Sequence, residues 1–438
     1  MDKSTIFLLL SLIPVFFSCK EDELALDPET VSLVQTLEED LVPLTQDPLN
    51  WSNEALQFLD PIANKSIIAL GEATHGTAEF FEAKHRIFQY LVENHDYKVF
   101  AFEADFGESL FINEAVQTGD KSKIESLMKD KMHFWTWKTE EVKALLEWMC
   151  DYNIGKADED KVQYVGIDCQ YNTFHPTMLK DYLQVTNTSL YSEVINILDE
   201  AQSATGNRFQ GYTDETFNDL KAQLVTLQDS LAIYKDKLIN NSSEKAYLLN
   251  TRILRVIIQV IEVNYYRNFS TNNRDLYMAE NTVWYQEYYN GKKIVLWAHN
   301  AHIANNEYFG TGSIGYHISK DKVDEYITVA FLFSKGSFTA VGRSGDDFTG
   351  LGNHIINDEP LANSINNIFA NVNQSVFTTK VENLQKHNEW QKAFSNNLRY
   401  LQIGAVFNNQ PHDYYSTFRP SLFDYIIYFD NTTASKLL

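Results

Sequence analysis

The stretch Ser66–Phe88, SIIALGEATHGTAEFFEAKHRIF, decides how this chain is read. Its first five residues are an apolar, β-branched run suited to a strand buried on both faces. The run stops at Gly71, and a short polar turn carries Glu72 and His75. Helical spacing begins after the turn, with Phe80, Ile87 and Leu91 on one side. A strand that ends by delivering a carboxylate and an imidazole three residues apart marks its carboxyl end as a place for chemistry.

Three further segments repeat this design. Lys98–Phe102 (KVFAF) ends at Glu103, Val162–Ile167 (VQYVGI) at Asp168, and Lys293–Ala298 (KIVLWA) at His299. A helical pattern of Val142, Leu145, Leu146 and Met149 precedes the third strand of the four. Alternation of strands and helices predicts an α/β fold whose central sheet is mostly parallel, mixed at its edge and flanked by helices. Ligands of open α/β sheets bind outside the carboxyl ends of the strands, so four ionisable strand ends point to one site. Residues 174–290 turn helical and are expected to form an inserted subdomain over those ends. EYITVAFLF, GSFTAVG and LFDYIIYF then read as strands that extend the sheet.

The charge balance limits the partners. Of 438 residues, 59 are Asp or Glu and 36 are Lys or Arg, a net charge of -23 with no basic cluster. A phosphate backbone repels such a chain, which excludes nucleic acid as a partner. The amino terminus reads as an export signal over residues 1–18: Lys3, the apolar run TIFLLLSLIPVFF, then Ser-Cys before KEDE. The apolar run is too short for a comfortable membrane span. The Ser-Cys pair resembles a bacterial lipobox, which implies cleavage before Cys19 and a lipid on its thiol. Residues 19–45 then form a lipidated tether and first helix, and 46–438 the α/β domain. The expected location is the bacterial outer membrane, on its periplasmic or cell-surface face. Cys150 and Cys169 remain, either paired in an oxidising compartment or as buried free thiols.

The candidate site residues are Glu72, His75, Glu103, Asp168, His299 and His302. An imidazole is the usual general base near neutral pH, and a carboxylate beside it fixes its tautomer. His299 and His302, in WAHNAHIAN, share a face if the strand passes into a helical turn. Glu103 has the alternative of capping the next helix, and Asp168 of fixing a loop. No Gly-x-Ser-x-Gly elbow, Walker loop or dinucleotide fingerprint occurs.

The blocks LGEATHGTAEFF, FAFEADFG, VGID, RDLYMAENTVW and AHNAHI, in this order from about Ser66 to Asn305, resemble the erythromycin esterase family. The resemblance implies a hydrolase of small-molecule esters, macrolactones among them, with a link to antibiotic resistance. It makes His75 the general base that activates water, without a required metal or other cofactor. Glu72, Glu103, His299 and His302 complete the cleft, orienting water or stabilising an oxyanion. Macrolide-hydrolysing members carry an arginine nine residues after the base, where this chain has Lys84. Lys84 and Asp168 are expected against the substrate, and the lost guanidinium fork sets this substrate apart. Two alternatives stand beside this reading. The same Glu/His cluster suits a divalent metal in a peptidase-like hydrolase. A surface lipoprotein that binds a small molecule and catalyses nothing is the other.

Overall fold

A computed structural model describes residues 27–267, 273–305, 311–322 and 324–438. The export signal and Cys19 lie outside the described residues. No helix among the described residues is long and apolar enough to cross a membrane.

The described residues build a ten-stranded sheet with helices on both faces. Its main path runs Val42–Pro43, Val376–Lys380, Tyr425–Thr432, Tyr326–Ser344, Ile67–Leu70, Lys293–Trp297, Tyr97–Asp105 and Gln163–Asp168. From Tyr425–Thr432 to Gln163–Asp168 every neighbouring pair is parallel. The antiparallel pairings are those of Val376–Lys380 and of the hairpin strand Asp347–Ile356. The mostly parallel, edge-mixed sheet expected from the strand pattern is therefore what forms.

Alternation along the strands assigns each face its core. Ile67, Ala69, Val99, Ala101, Val165, Ile167, Ile294 and Leu296 share one core with the helices of residues 175–288. Ile68, Leu70, Phe100, Phe102, Tyr164, Val295 and Trp297 pack on the other face against Phe80, Phe81, Phe88, Leu145 and Met149. Burial on both faces is why these strands read as near-continuous apolar runs. The long helical segment thus supplies one layer of the sandwich, and its helix Arg274–Tyr288 begins at the carboxyl ends of the strands. Helix Pro28–Asp40 also joins the core, through Leu33, Val34 and Leu37.

Register brings the strand ends level. Leu70 pairs with Trp297, Trp297 with Phe102, and Phe102 with Gly166. One or two residues beyond that row stand Glu72, His299, Glu103 and Asp168. The strand must turn tightly at Gly71, where a Cβ would fall 2.0 Å from the Asn300 side-chain oxygen. Cys150 and Cys169 are free buried thiols, not a disulfide. Burial pushes the Cys150 thiol up to about 12 and that of Cys169 well above its ordinary value.

Candidate active site

Glu72 is wholly buried and is the hub of the first half of the site. One carboxylate oxygen lies 2.6 Å from His75 Nδ1, and the other accepts from Lys84 Nζ and Trp297 Nε1, both at 2.6 Å. Burial opposes its ionisation, but the Lys84 ammonium and His75 outweigh it and hold the carboxyl below its usual range. Because an ionised carboxylate only accepts, His75 Nδ1 carries the proton. Nε2 is then the basic nitrogen, on a side chain that keeps 16% of its surface exposed.

Lys84 does not reach the substrate side. It is fully buried behind Glu72, with its ammonium 4.2 Å from the Trp297 ring and near Phe81 and Phe331. Burial pulls its pKa down to about 8, against the attraction of Glu72. The structure therefore moves Lys84 from expected substrate contact to counter-ion of Glu72. An arginine would have to fit its planar fork among three aromatic rings, so a change there acts through packing rather than through recognition.

The second half of the site is built on Arg274. Its Nε and Nη2 grip both oxygens of Asp168 at 2.9 and 2.8 Å, and Nη2 also donates to Glu103 Oε1 at 2.8 Å. Asp168 takes two more hydrogen bonds, from the Cys169 backbone and the Gln170 amide. Wholly buried and fully occupied, it fixes the loop and Arg274 instead of touching a substrate. Glu103 Oε2 accepts the His299 backbone N–H at 3.0 Å, and Oε1 lies 3.2 Å from His302 Nε2. Burial raises the Glu103 pKa, yet His302, Arg274 and His75 bring it well below the ordinary value. The helix after Glu103 is capped by Asp105, so capping is not the role of Glu103.

The two histidines of AHNAH sit in opposite protonation states. His299 caps the short helix Asn300–Ile303: its Nδ1 accepts the Ala301 N–H at 3.2 Å, and Nε2 faces the Ala73 carbonyl at 3.4 Å. Burial, reinforced by His75 and His302, pulls its pKa down to about 3, so it is neutral. His302 is half-buried; desolvation lowers its pKa, but Asp275 at 2.6 Å from Nδ1 and Glu103 outweigh this and raise it to about 10. With both ring nitrogens protonated, the 3.3 Å approach of Arg274 Nη1 to His302 Nε2 is a meeting of two cations across Glu103. The rings of His75 and His299 are 5.2 Å apart, and those of His299 and His302 6.5 Å.

The raised His302 has a consequence for stability. Its ordinary value is 6.5, so the folded state binds the extra proton between that value and about 10. Its stabilisation is complete below the unfolded pKa and is lost as pH rises through about 10. Asp275→Asn should lower the His302 titration and flatten this alkaline loss, as read by ring NMR and by unfolding midpoints across pH.

The structure thus joins Glu72, His75, Glu103, His299 and His302, with Asp168 one ion pair behind. Sequence reasoning passed over Arg274 and Asp275, although RDLYMAENTVW contains them, and also Trp297. It also missed Gly404. The His75 N–H donates to the Gly404 carbonyl at 3.2 Å, while Ile403 and Gly404 both donate to Ala73 O. Gly404 has φ +69, and a Cβ on it would stand 3.9 Å from the Nε2 atoms of both His75 and His299. A glycine there keeps the space before the two nitrogens open.

Comparison with known proteins identifies the family and the fold. The model of the family "Erythromycin esterase" matches residues 92–432, a span that starts after the Glu72–His75 turn. A Bacillus subtilis (strain 168) protein named "Putative hydrolase YbfO" is 29% identical over 284 residues, 59% of this chain and 60% of its own length. The chain therefore aligns with less than two thirds of that relative. "Erythromycin esterase type II" of Escherichia coli is 24% identical over 314 residues, 64% of this chain and 72% of that protein. A Bacillus cereus protein of known crystal structure shares the fold with a TM-score of 0.78 at 23% identity, covering 93% of this chain and 99% of that one. With the family model matched over well more than half of its length, this chain belongs to the erythromycin esterase family.

Proposed function

We propose that this protein is a hydrolase of small-molecule esters, in which His75 Nε2 takes a proton from the attacking water. The observation that carries the reading is the ordered pair of Glu72 and His75, whose Nδ1 is bound at 2.6 Å while the ring stays partly exposed. Water is a poor nucleophile at neutral pH, and a fixed imidazole is the group suited to activate it. Protonated His302 and the partly exposed Arg274 supply positive charge where an oxyanion would develop. Neutral His299, beside His75, orients without charge. The relatives named hydrolase and esterase support the reaction class; macrolactone as the ester is part of this proposal.

The carboxylates do not suit a divalent cation. Glu72 is shared among His75, Lys84 and Trp297, and Glu103 among Arg274, His302 and the His299 N–H. Positive groups already fill the places a metal would take. Purified protein should open macrolides to a hydroxy acid one water heavier and split simple esters into acid and alcohol, seen by mass spectrometry, at a rate unchanged by a chelator. Absence of turnover across the panel favours the binding-only lipoprotein; activity lost to the chelator and restored by a metal favours the metallohydrolase.

The anchoring proposal is separate. Lipid on Cys19 would hold the enzyme at the outer membrane, where an ester is met before it enters the cell. Cys19→Ala should shift the protein from the membrane fraction to the soluble one. Unchanged fractionation, with an unlipidated terminus by mass spectrometry, would reject it.

A further inference from the structure

A cavity of about 600 Å³ opens beside the site, and Arg274 belongs to both. Two more arginines, Arg208 and Arg267, line it, and no Asp or Glu does so among the described residues. In a chain of net charge -23 this is an unusual concentration of guanidinium groups. Arg274 is committed to Glu103 and Asp168, but Arg208 and Arg267 have no ion-pair partner among the described residues. The rest of the polar lining is amides and hydroxyls, among them Gln202 and Thr205. Asn172 also lines the cavity, but at 4% exposure its side-chain nitrogen and oxygen, unpartnered among the described residues, lie beneath the cavity surface.

Guanidinium forks match carboxylate and phosphate groups, and amides with hydroxyls match the hydroxyls of a sugar. We infer that this cavity binds the anionic, polyhydroxylated part of the substrate, an acidic saccharide bearing a carboxylate or a phosphate, next to the reacting ester. The inference rests on the hydrolase reading only in calling that ligand a substrate. Arg208 and Arg267 hold the anion, and the amides and hydroxyls of the lining meet the sugar hydroxyls. A cationic amine is disfavoured in the same place by like charge.

The test is calorimetric binding to the His75→Asn chain, which needs no turnover. The probes are a glucuronate-bearing tetrasaccharide, its carboxyl-reduced neutral counterpart, and a tetrasaccharide carrying a phosphate monoester. An acidic probe should bind at least about tenfold more tightly than the neutral one, and Arg208→Gln or Arg267→Gln should each weaken it by about ten- to a hundredfold. Preference between the two acidic probes assigns the anion as carboxylate or phosphate. Both arginines are at the exposed rim, so unchanged unfolding midpoints are expected and show that lost binding is not lost fold. Equal affinity for all three probes, no binding of any, or indifference to both substitutions overturns the inference while leaving the hydrolase reading in place. An active esterase with no charge preference, and an inactive protein that still selects the acidic probe, are therefore different results.

Discussion

His75→Asn should lower kcat by about 10²–10⁴ and leave KM and the unfolding midpoint nearly unchanged. Asparagine keeps a polar group beside Glu72, at the position where Nδ1 stands 2.6 Å from the carboxylate, so the buried oxygen is not abandoned. What disappears is the basic nitrogen on the exposed side of the ring. Loss of an interaction made only in the transition state lowers kcat and kcat/KM together, which separates this outcome from damaged binding. A variant as active as the parent would remove the base from His75. A variant inactive until a metal is added would transfer the mechanism to a metal-bound water. The neighbouring His299 is not a ready substitute: burial has pulled its pKa down to about 3, and both its ring nitrogens face backbone groups.

Lys84→Met should destabilise the fold by about 3–5 kcal/mol, because it removes one partner of a buried ion pair and leaves the other charged. Both side chains of that pair have no exposed surface. Methionine nearly matches the lysine stem in volume, so the cost is electrostatic rather than a cavity. Glu72→Gln added to Lys84→Met should recover much of the loss, since the neutral amide needs no counter-ion: its oxygen accepts from Trp297 Nε1 and its NH2 donates to His75 Nδ1, with the ring in its other tautomer. The measurement is the denaturant midpoint of the parent, both single variants and the double variant, with the slope checked for constancy. A Lys84→Met protein as stable as the parent would refute the buried pair. Activity in the double variant should remain low, because an amide holds the His75 ring but does not stabilise it as it becomes positive.

The helices and strands of this protein were legible because burial patterns are local. Ile67–Leu70, Lys98–Phe102, Val162–Ile167 and Lys293–Trp297 announce themselves by composition, and their shared ionisable ends announce the edge where the site lies. The Glu72–His75 bond was equally accessible, since three residues of turn bring the two side chains together whatever the rest of the chain does. Roles that depend on partners remote in sequence were not. Lys84 looked like a substrate contact until the sheet placed Trp297 and Phe331 around it and turned it inward to Glu72. Asp168 looked like a cleft residue until Arg274, 106 positions later, closed on both its oxygens.

The contrast between His299 and His302 shows where the boundary falls. They are three residues apart and identical in chemistry, and their positions at one strand end could be read from AHNAH alone. Their charges could not. Asp275 and Glu103 come from a helix and a strand distant in sequence and make His302 a cation, whereas desolvation and the same cation keep His299 neutral. Local sequence determines which groups stand at the strand ends, because strand periodicity and turn geometry act over a few residues. Protonation and accessibility are set by the field of every neighbour within a few ångströms, and only the packed sheet and helices decide which neighbours those are.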